Sequence, residues 1–306
     1  MNSPSLIKST FFTPNMSSGT EGHHEHLKAL IRHENNPVYQ RKYYMSREWQ
    51  ETLRKEVMTQ ATNTRFRQDP SNERDSPRSV LTMTSSKLCP TWREKICEWQ
   101  YQVVDRYDLN REIVCISTFY LDRYLCMFFA DEDVFQLLSM TCLYLAIKIH
   151  SPIKLSIRSM ARLGRGLISV EHITEMEICV MQALRWYLHP PTPIAFLDNF
   201  FPIISKDLGG NNRFDSVDVY EFSRFLAELS VCAYPFVAAM PSSIAIAAVL
   251  FSIDHFQLSE ETKGSFKRVA DTVRLDVDSY EVVECKKLLR KVYVSAVSQD
   301  YSADDS

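Results

Sequence analysis

Glycine is scarce in this chain: seven among 306 residues, and none between Gly22 and Gly164. Tight two-residue hairpins need positions with positive φ, which glycine occupies without steric penalty. A chain this poor in glycine is ill suited to turning short strands back on one another, so the expected class is all-α. Hydrophobic residues make up 45% of the sequence, enough to fill the cores of two domains of ordinary size.

Apolar residues at helical spacing mark the elements. Regular periodicity begins at Pro90, a residue favoured in a first helical turn. The first helix, "TWREKICEWQYQVVDRY", sets Trp92, Ile96, Trp99, Val103 and Tyr107 on one face. Asn110 introduces a second, and the acidic residues Asp131, Glu132 and Asp133 open a third that extends through Ile149. A shorter fourth stops at Gly164, and a fifth runs from Ser169 until "HPPTP" at 189–193 breaks it. The same order returns after the break, from "IAFLDNFF" to "DSYEVVECKKLLRKVYVSAV". In each half the third helix is the most apolar, so a central helix wrapped by four others is expected twice. Ahead of the helices, residues 1 to about 36 are rich in Ser, Thr, Asn and His, the composition of a disordered arm. "SREWQETLRKEVMTQ", 46–60, reads as a lone docking helix, and the polar stretch 61–88 as a linker. The expected divisions are 1–87, 88–190, 191–297 and a tail at 298–306.

Composition narrows the function. A formal net charge of -3 supplies no basic field, so neither nucleic acid nor an anionic membrane is an expected partner. The first twenty residues lack an apolar signal core, and no stretch approaches eighteen uncharged apolar residues, which points to cytoplasm and nucleus. The eight cysteines are scattered singly without a CxxC pair and read as small core hydrophobes in a reducing compartment. His23, His24 and His26 have no second ligand cluster, so no metal is expected. With no GxxxxGK[ST], HExxH or GxSxG, the chain shows no catalytic constellation and calls for no cofactor. Four charges nevertheless sit inside apolar faces: Arg93 beside Trp92, Asp122 in "FYLDRYL", Lys148 in "LYLAIKIH", and Glu177 in "EMEICVMQAL". Charges this close to a core are usually paired. Lys148 has two readings, as an ammonium that snorkels to water at a helix end or as the rim of a surface that receives another protein.

"WREKICEW", "YLDRYL", "LAIKI" and "MEICVMQALRWYL", in this order and spacing, resemble the cyclin box. The resemblance covers 88–190 well and continues more loosely over 191–297, where "MPSSIAIAA" matches best. It implies a double five-helix fold and a regulatory subunit, not itself an enzyme, that binds and activates a cyclin-dependent serine/threonine kinase. It further implies that Arg93 and Asp122 form an internal ion pair. Lys148 and Glu177 would bind the kinase, with Ile149, Met181, Trp186 and Leu188 on the gripping face. An apolar patch rimmed by a cation and an anion suits helix-in-groove recognition on physical grounds as well. Trp92, Ile96, Trp99 and Gln136 match the groove that docks Arg-x-Leu motifs of substrates or inhibitors, although Trp92 replaces the usual methionine. "IHSPIKL" is neutral to basic where the family often has acidic residues, and neither KEN nor a full destruction box is present, which favours a G1-like or divergent member over a mitotic one. Two rivals share the fold: a two-repeat basal transcription initiation factor, whose zinc ribbon and basic second repeat this chain lacks, and a cyclin-fold scaffold with no kinase.

Overall fold

A computed structural model describes residues 19–46, 48–49, 51–52, 55, 88–208 and 216–303. These residues form eleven α-helices and two short 3-10 turns, with no strand among them. The helices are α1 (Thr20–Glu34), α2 (Pro90–Arg106), α3 (Glu112–Leu125), α4 (Glu132–His150), α5 (Ile157–Leu163), α6 (Val170–Ala183), α7 (Pro193–Leu208), α8 (Ser216–Cys232), α9 (Pro241–His255), α10 (Glu260–Thr272) and α11 (Tyr280–Ala303). The all-α class and the five-plus-five order hold. None of these helices is long and apolar enough to cross a membrane.

Contacts divide the chain into two units. The first comprises Asn36–Pro190 together with Glu228–Ala239. Its helices begin where local chemistry starts them: Asn110 Oδ1 accepts the Glu112 N–H at 2.9 Å, and Asp131 Oδ1 accepts the Val134 N–H at 2.9 Å. Ser169 Oγ accepts from the His172 N–H, and the His172 ring accepts from the Ser169 N–H in return. Caps of this kind contribute about 1 kcal/mol each. Gly164 follows α5, where a Cβ would lie 3.0 Å from Ile168 Cβ and 3.2 Å from the Ala161 carbonyl oxygen, so the close approach favours glycine. The apolar α4 packs against α2, α3, α5 and α6, the wrapped position expected of it.

The second unit comprises residues up to Asn35, Pro191–Ala227 and the chain from Met240. Its centre is α9, buried at twelve of fifteen positions. Alanines and serines let its neighbours approach on every side, and Ser252 Oγ meets Ser223 Oγ at 2.8 Å, so that polar atom does not go unpaired. Helices α7, α10 and α11 cover it.

The expectation of disorder through residue 36 is overturned for 20–34, which form α1 against α7. Leu27 is fully buried, and His23 Nδ1 lies 3.0 Å from Asn199 Oδ1, so a helix with few apolar residues still docks through one leucine and a histidine. The arm before residue 19 and all of the expected linker 61–88 but Leu88 lie outside the described residues, as does most of the expected docking helix over 46–60; Leu88 is not solvated but buried in the core. Glu48, Trp49, Glu51, Thr52 and Lys55 of that stretch are helical.

Helix α1 ends on a buried carboxyl group. Glu34, 4% exposed, accepts the Ser242 N–H at 3.0 Å in the first turn of α9. Glu281 of α11 caps the same turn, accepting from the Met240 N–H at 2.7 Å and the Ser243 hydroxyl at 3.1 Å. Burial pushes the Glu34 carboxyl up to about 7, with Glu281 adding to the rise and the Ser242 hydrogen bonds opposing it. An acid whose folded pKa exceeds its unfolded value stabilises the fold fully below the unfolded pKa and loses that contribution as pH climbs through the folded one. The second unit is therefore expected to lose stability between pH 4.5 and 7, by about 3 kcal/mol at most at 1.36 kcal/mol per unit. Glu34→Gln should flatten that slope in urea titrations run at each pH; an unchanged slope would remove Glu34 as its source.

Candidate functional site

Two constellations emerge in the first unit, one internal and one at the surface. In the internal one, Arg93 of α2 donates from Nε to Asp122 Oδ1 at 2.8 Å and from Nη2 to Oδ2 at 2.9 Å. Arg93 is 2% exposed and Asp122 fully buried. The guanidinium's remaining nitrogen donates to the carbonyls of Val231 and Cys232 at 2.8 and 2.9 Å. Burial opposes the charge on Arg93, but the Asp122 carboxylate outweighs it and holds the guanidinium pKa well above its ordinary value. Two partners were not legible in the sequence. The Tyr44 hydroxyl donates to Asp122 Oδ1 at 2.8 Å, and Arg41 Nη1 lies 3.7 Å from Oδ2.

The surface constellation centres on Lys148, whose Nζ lies 2.6 Å from Glu177 Oε1. The exposures are unequal, 52% for the lysine side chain and 9% for the glutamate, so desolvation falls on the carboxylate. The hydrogen bond to Glu177 raises the Lys148 pKa above its ordinary value. Nζ also stands 5.8 Å from the centre of the Tyr144 ring. Met181 lies one turn beyond Glu177 on α6, half-buried against the core, and its carbonyl accepts the Trp186 N–H at 3.0 Å. That bond closes a turn in which Arg185 and Trp186 both take left-handed conformations, φ 50° and 64°. Non-glycine residues adopt this region at a cost of roughly 1–2 kcal/mol each, and here the turn leaves the indole 67% exposed. The chain then returns to α3 and the end of α4: the Leu188 carbonyl accepts from the Tyr120 hydroxyl, and His150 Nε2 lies 2.8 Å from the same oxygen. Ile149 and Leu188 are half-buried beside it. The structure thus brings the 186–188 turn to the end of α4 that carries Lys148.

On α2, Trp92, Ile96 and Trp99 line up at i, i+4 and i+7, each half-buried against the core. The Trp92 ring centre stands 6.2 Å from that of Phe135 on α4, and Gln136, the next residue, is exposed. Among the described residues no group of three or more potential metal ligands comes together. His23, the buried member of the histidine cluster, faces Asn199 instead.

Comparison with known proteins meets this geometry at the level of sequence and of fold. The family described as "Cyclin, N-terminal domain" matches residues 63–189, and "Cyclin, C-terminal domain" matches 191–304. The G1/S-specific cyclin-D1 of Xenopus laevis is 25% identical over 211 residues, 68% of each chain. Cyclin-O of Homo sapiens is 29% identical over 177 residues, 56% of this chain and 48% of its own. The chain thus spans about half to two thirds of the length of these relatives. Among solved structures, a viral cyclin from herpesvirus saimiri superposes with a TM-score of 0.55 at 15% identity, over 67% of this chain and 87% of that one. A chain of the yeast TFIIK (Kin28/Ccl1/Tfb3) complex gives 0.51 at 16% identity, over 65% and 85%, and at such identities the likeness shows the fold. With two family matches that tile the chain in order, each falling on one set of five helices, this protein belongs to the cyclin family.

Proposed function

We propose that this chain is the regulatory subunit of a cyclin-dependent serine/threonine kinase, which it binds as a heterodimer, activates and directs to substrates in the cell cycle, in nucleus and cytoplasm. The observation that carries this reading is the Lys148–Glu177 pair at the end of α4, beside an apolar turn that presents Trp186 to solvent. A large exposed aromatic held by a strained turn, next to a cation and a nearly buried anion, is what a surface that receives a partner helix needs. The G1/S-specific name of the Xenopus laevis relative supports a role early in the cycle. The chain should show no phosphotransferase activity alone. Mixed with a purified cyclin-dependent kinase recovered from a pull-down out of cycling cells, it should produce histone phosphorylation that neither protein gives separately. Phosphorylation by the isolated chain, or the absence of any such kinase in the pull-down, would reject the reading.

Within the same proposal, Trp92, Ile96, Trp99 and Gln136 dock Arg-x-Leu motifs. Trp92→Ala combined with Gln136→Ala should reduce the preference for motif-bearing substrates by an order of magnitude or more, since interface anchors of this kind cost about 2 kcal/mol or more on truncation. Phosphorylation of matched substrates with and without the motif makes the measurement. Equal loss on both would mean that the fold, not the dock, had suffered.

A further inference from the structure

Arg93, Cys97 and Tyr101 stand four residues apart on α2, one above another on a single stripe. All three reach the last turn of α8. Arg93 holds the Val231 and Cys232 carbonyls, and the Tyr101 hydroxyl donates to the Glu228 carbonyl at 3.4 Å. Arg111 adds an ion pair to the Glu228 carboxylate at 2.7 Å. Between these clamps Cys97 Sγ and Cys232 Sγ lie 3.2 Å apart, both as free thiols. A disulfide needs the two sulfurs to close to about 2.05 Å, a small side-chain movement between backbones already fixed relative to each other.

We propose that Cys97 and Cys232 are a peroxide-oxidisable dithiol that closes to an intrachain disulfide, locking α2 to the segment Glu228–Cys232. The order of events follows from access. Cys97 is fully buried, and burial together with its hydrogen bond to Cys232 raises its pKa well above the ordinary thiol value. Cys232 is half-buried and is the sulfur a peroxide reaches first. Its sulfur attacks one peroxide oxygen; the S–O bond forms, the O–O bond breaks, and the departing hydroxide leaves as water with the thiol proton. Cys97 then attacks the Cys232 sulfenic acid; the S–S bond forms, the S–O bond breaks, and a second water carries away the Cys97 proton. One hydrogen peroxide is reduced to two waters as two thiols become one disulfide.

The two cysteines are 135 residues apart in sequence. A link across so long a loop restricts the unfolded chain strongly, so the oxidised protein should melt higher than the reduced one, by roughly 5 °C or more. The test treats the reduced full chain with hydrogen peroxide, alkylates the remaining thiols and maps peptides without reduction. The expected result is the loss of two of the eight thiols, a joined Cys97–Cys232 peptide pair and a melting gain that dithiothreitol reverses. In Cys97→Ala, Cys232 should stop at a sulfenic acid that dimedone traps, with no gain in melting temperature. Cross-link mapping of the unsubstituted chain decides the matter if that variant does not fold. Oxidation confined to the exposed Cys179, or Cys232 carried to the sulfinic acid while Cys97 is still alkylated, would overturn the proposal.

Discussion

Asp122→Ala is expected to cost about 3–5 kcal/mol, the typical effect of deleting one partner of a buried ion pair. Against a total of about 5–15 kcal/mol for a domain, that is enough to leave the first unit partly unfolded at physiological temperature. The reason is accumulation of charge. Asp122 receives two hydrogen bonds from Arg93 and one from Tyr44, and Arg41 lies close by. Without it, two guanidinium groups, one of them 2% exposed, lose their shared carboxylate and keep neutral partners: the carbonyls of Ala239, Val231 and Cys232, and the Phe119 ring 5.3 Å from Arg41. Arg93→Met with Asp122→Leu should recover much of the loss, because replacing both members by apolar groups strands less charge. Urea unfolding of the three proteins measures this. A single substitution that shifts stability by less than about 1 kcal/mol would mean that the pair is far better solvated than its burial indicates.

A second large effect concerns the surface pair. If the kinase covers Lys148 and Glu177, deleting either leaves charge desolvated and unpaired in the complex, at roughly 2–5 kcal/mol or about 30-fold to a few thousand-fold in affinity. The free protein should scarcely register Glu177→Ala, since the lysine it leaves is half exposed and such pairs contribute only about 0–1 kcal/mol. Lys148→Ala should cost the free protein somewhat more, because it strands a carboxylate that is 9% exposed. Titration calorimetry with the kinase, with thermal melts as the control, separates the two quantities. Folded variants that bind with native affinity would turn the reading toward a scaffold.

What could be read from the sequence was what is local. Asp131 and Ser169 announce helices because a capping interaction spans three or four residues, Pro90 because its fixed φ suits a first turn, and the apolar runs of α4 and α9 announce their burial. Arg93, Asp122, Lys148 and Glu177 stood out because a charge in an apolar run needs an explanation even before its partner is known. Arg41 and Tyr44 did not, since they belong to an irregular segment and meet Asp122 across some eighty residues of chain. Helix α1 was missed for a related reason. Its composition is that of a solvated arm, and the surface that orders it lies on α7, more than 160 residues later. The positive φ of Arg185 and Trp186 was equally hidden, because neither residue type favours that conformation and the turn is imposed by its surroundings.

The two units interleave along the sequence, and this determines how the protein can be cut. A fragment ending at Pro190, where the first family match suggests a boundary, would lack Val231 and Cys232 and so leave the Arg93 guanidinium two acceptors short in a buried site. A fragment starting at Pro191 would lack α1 and with it the Glu34 cap on α9. Either half cut at that boundary leaves behind residues that its buried groups bond to. Swapping one half between related proteins therefore breaks these bonds, and a chimera that keeps them carries Glu228–Ala239 with the first half and α1 with the second.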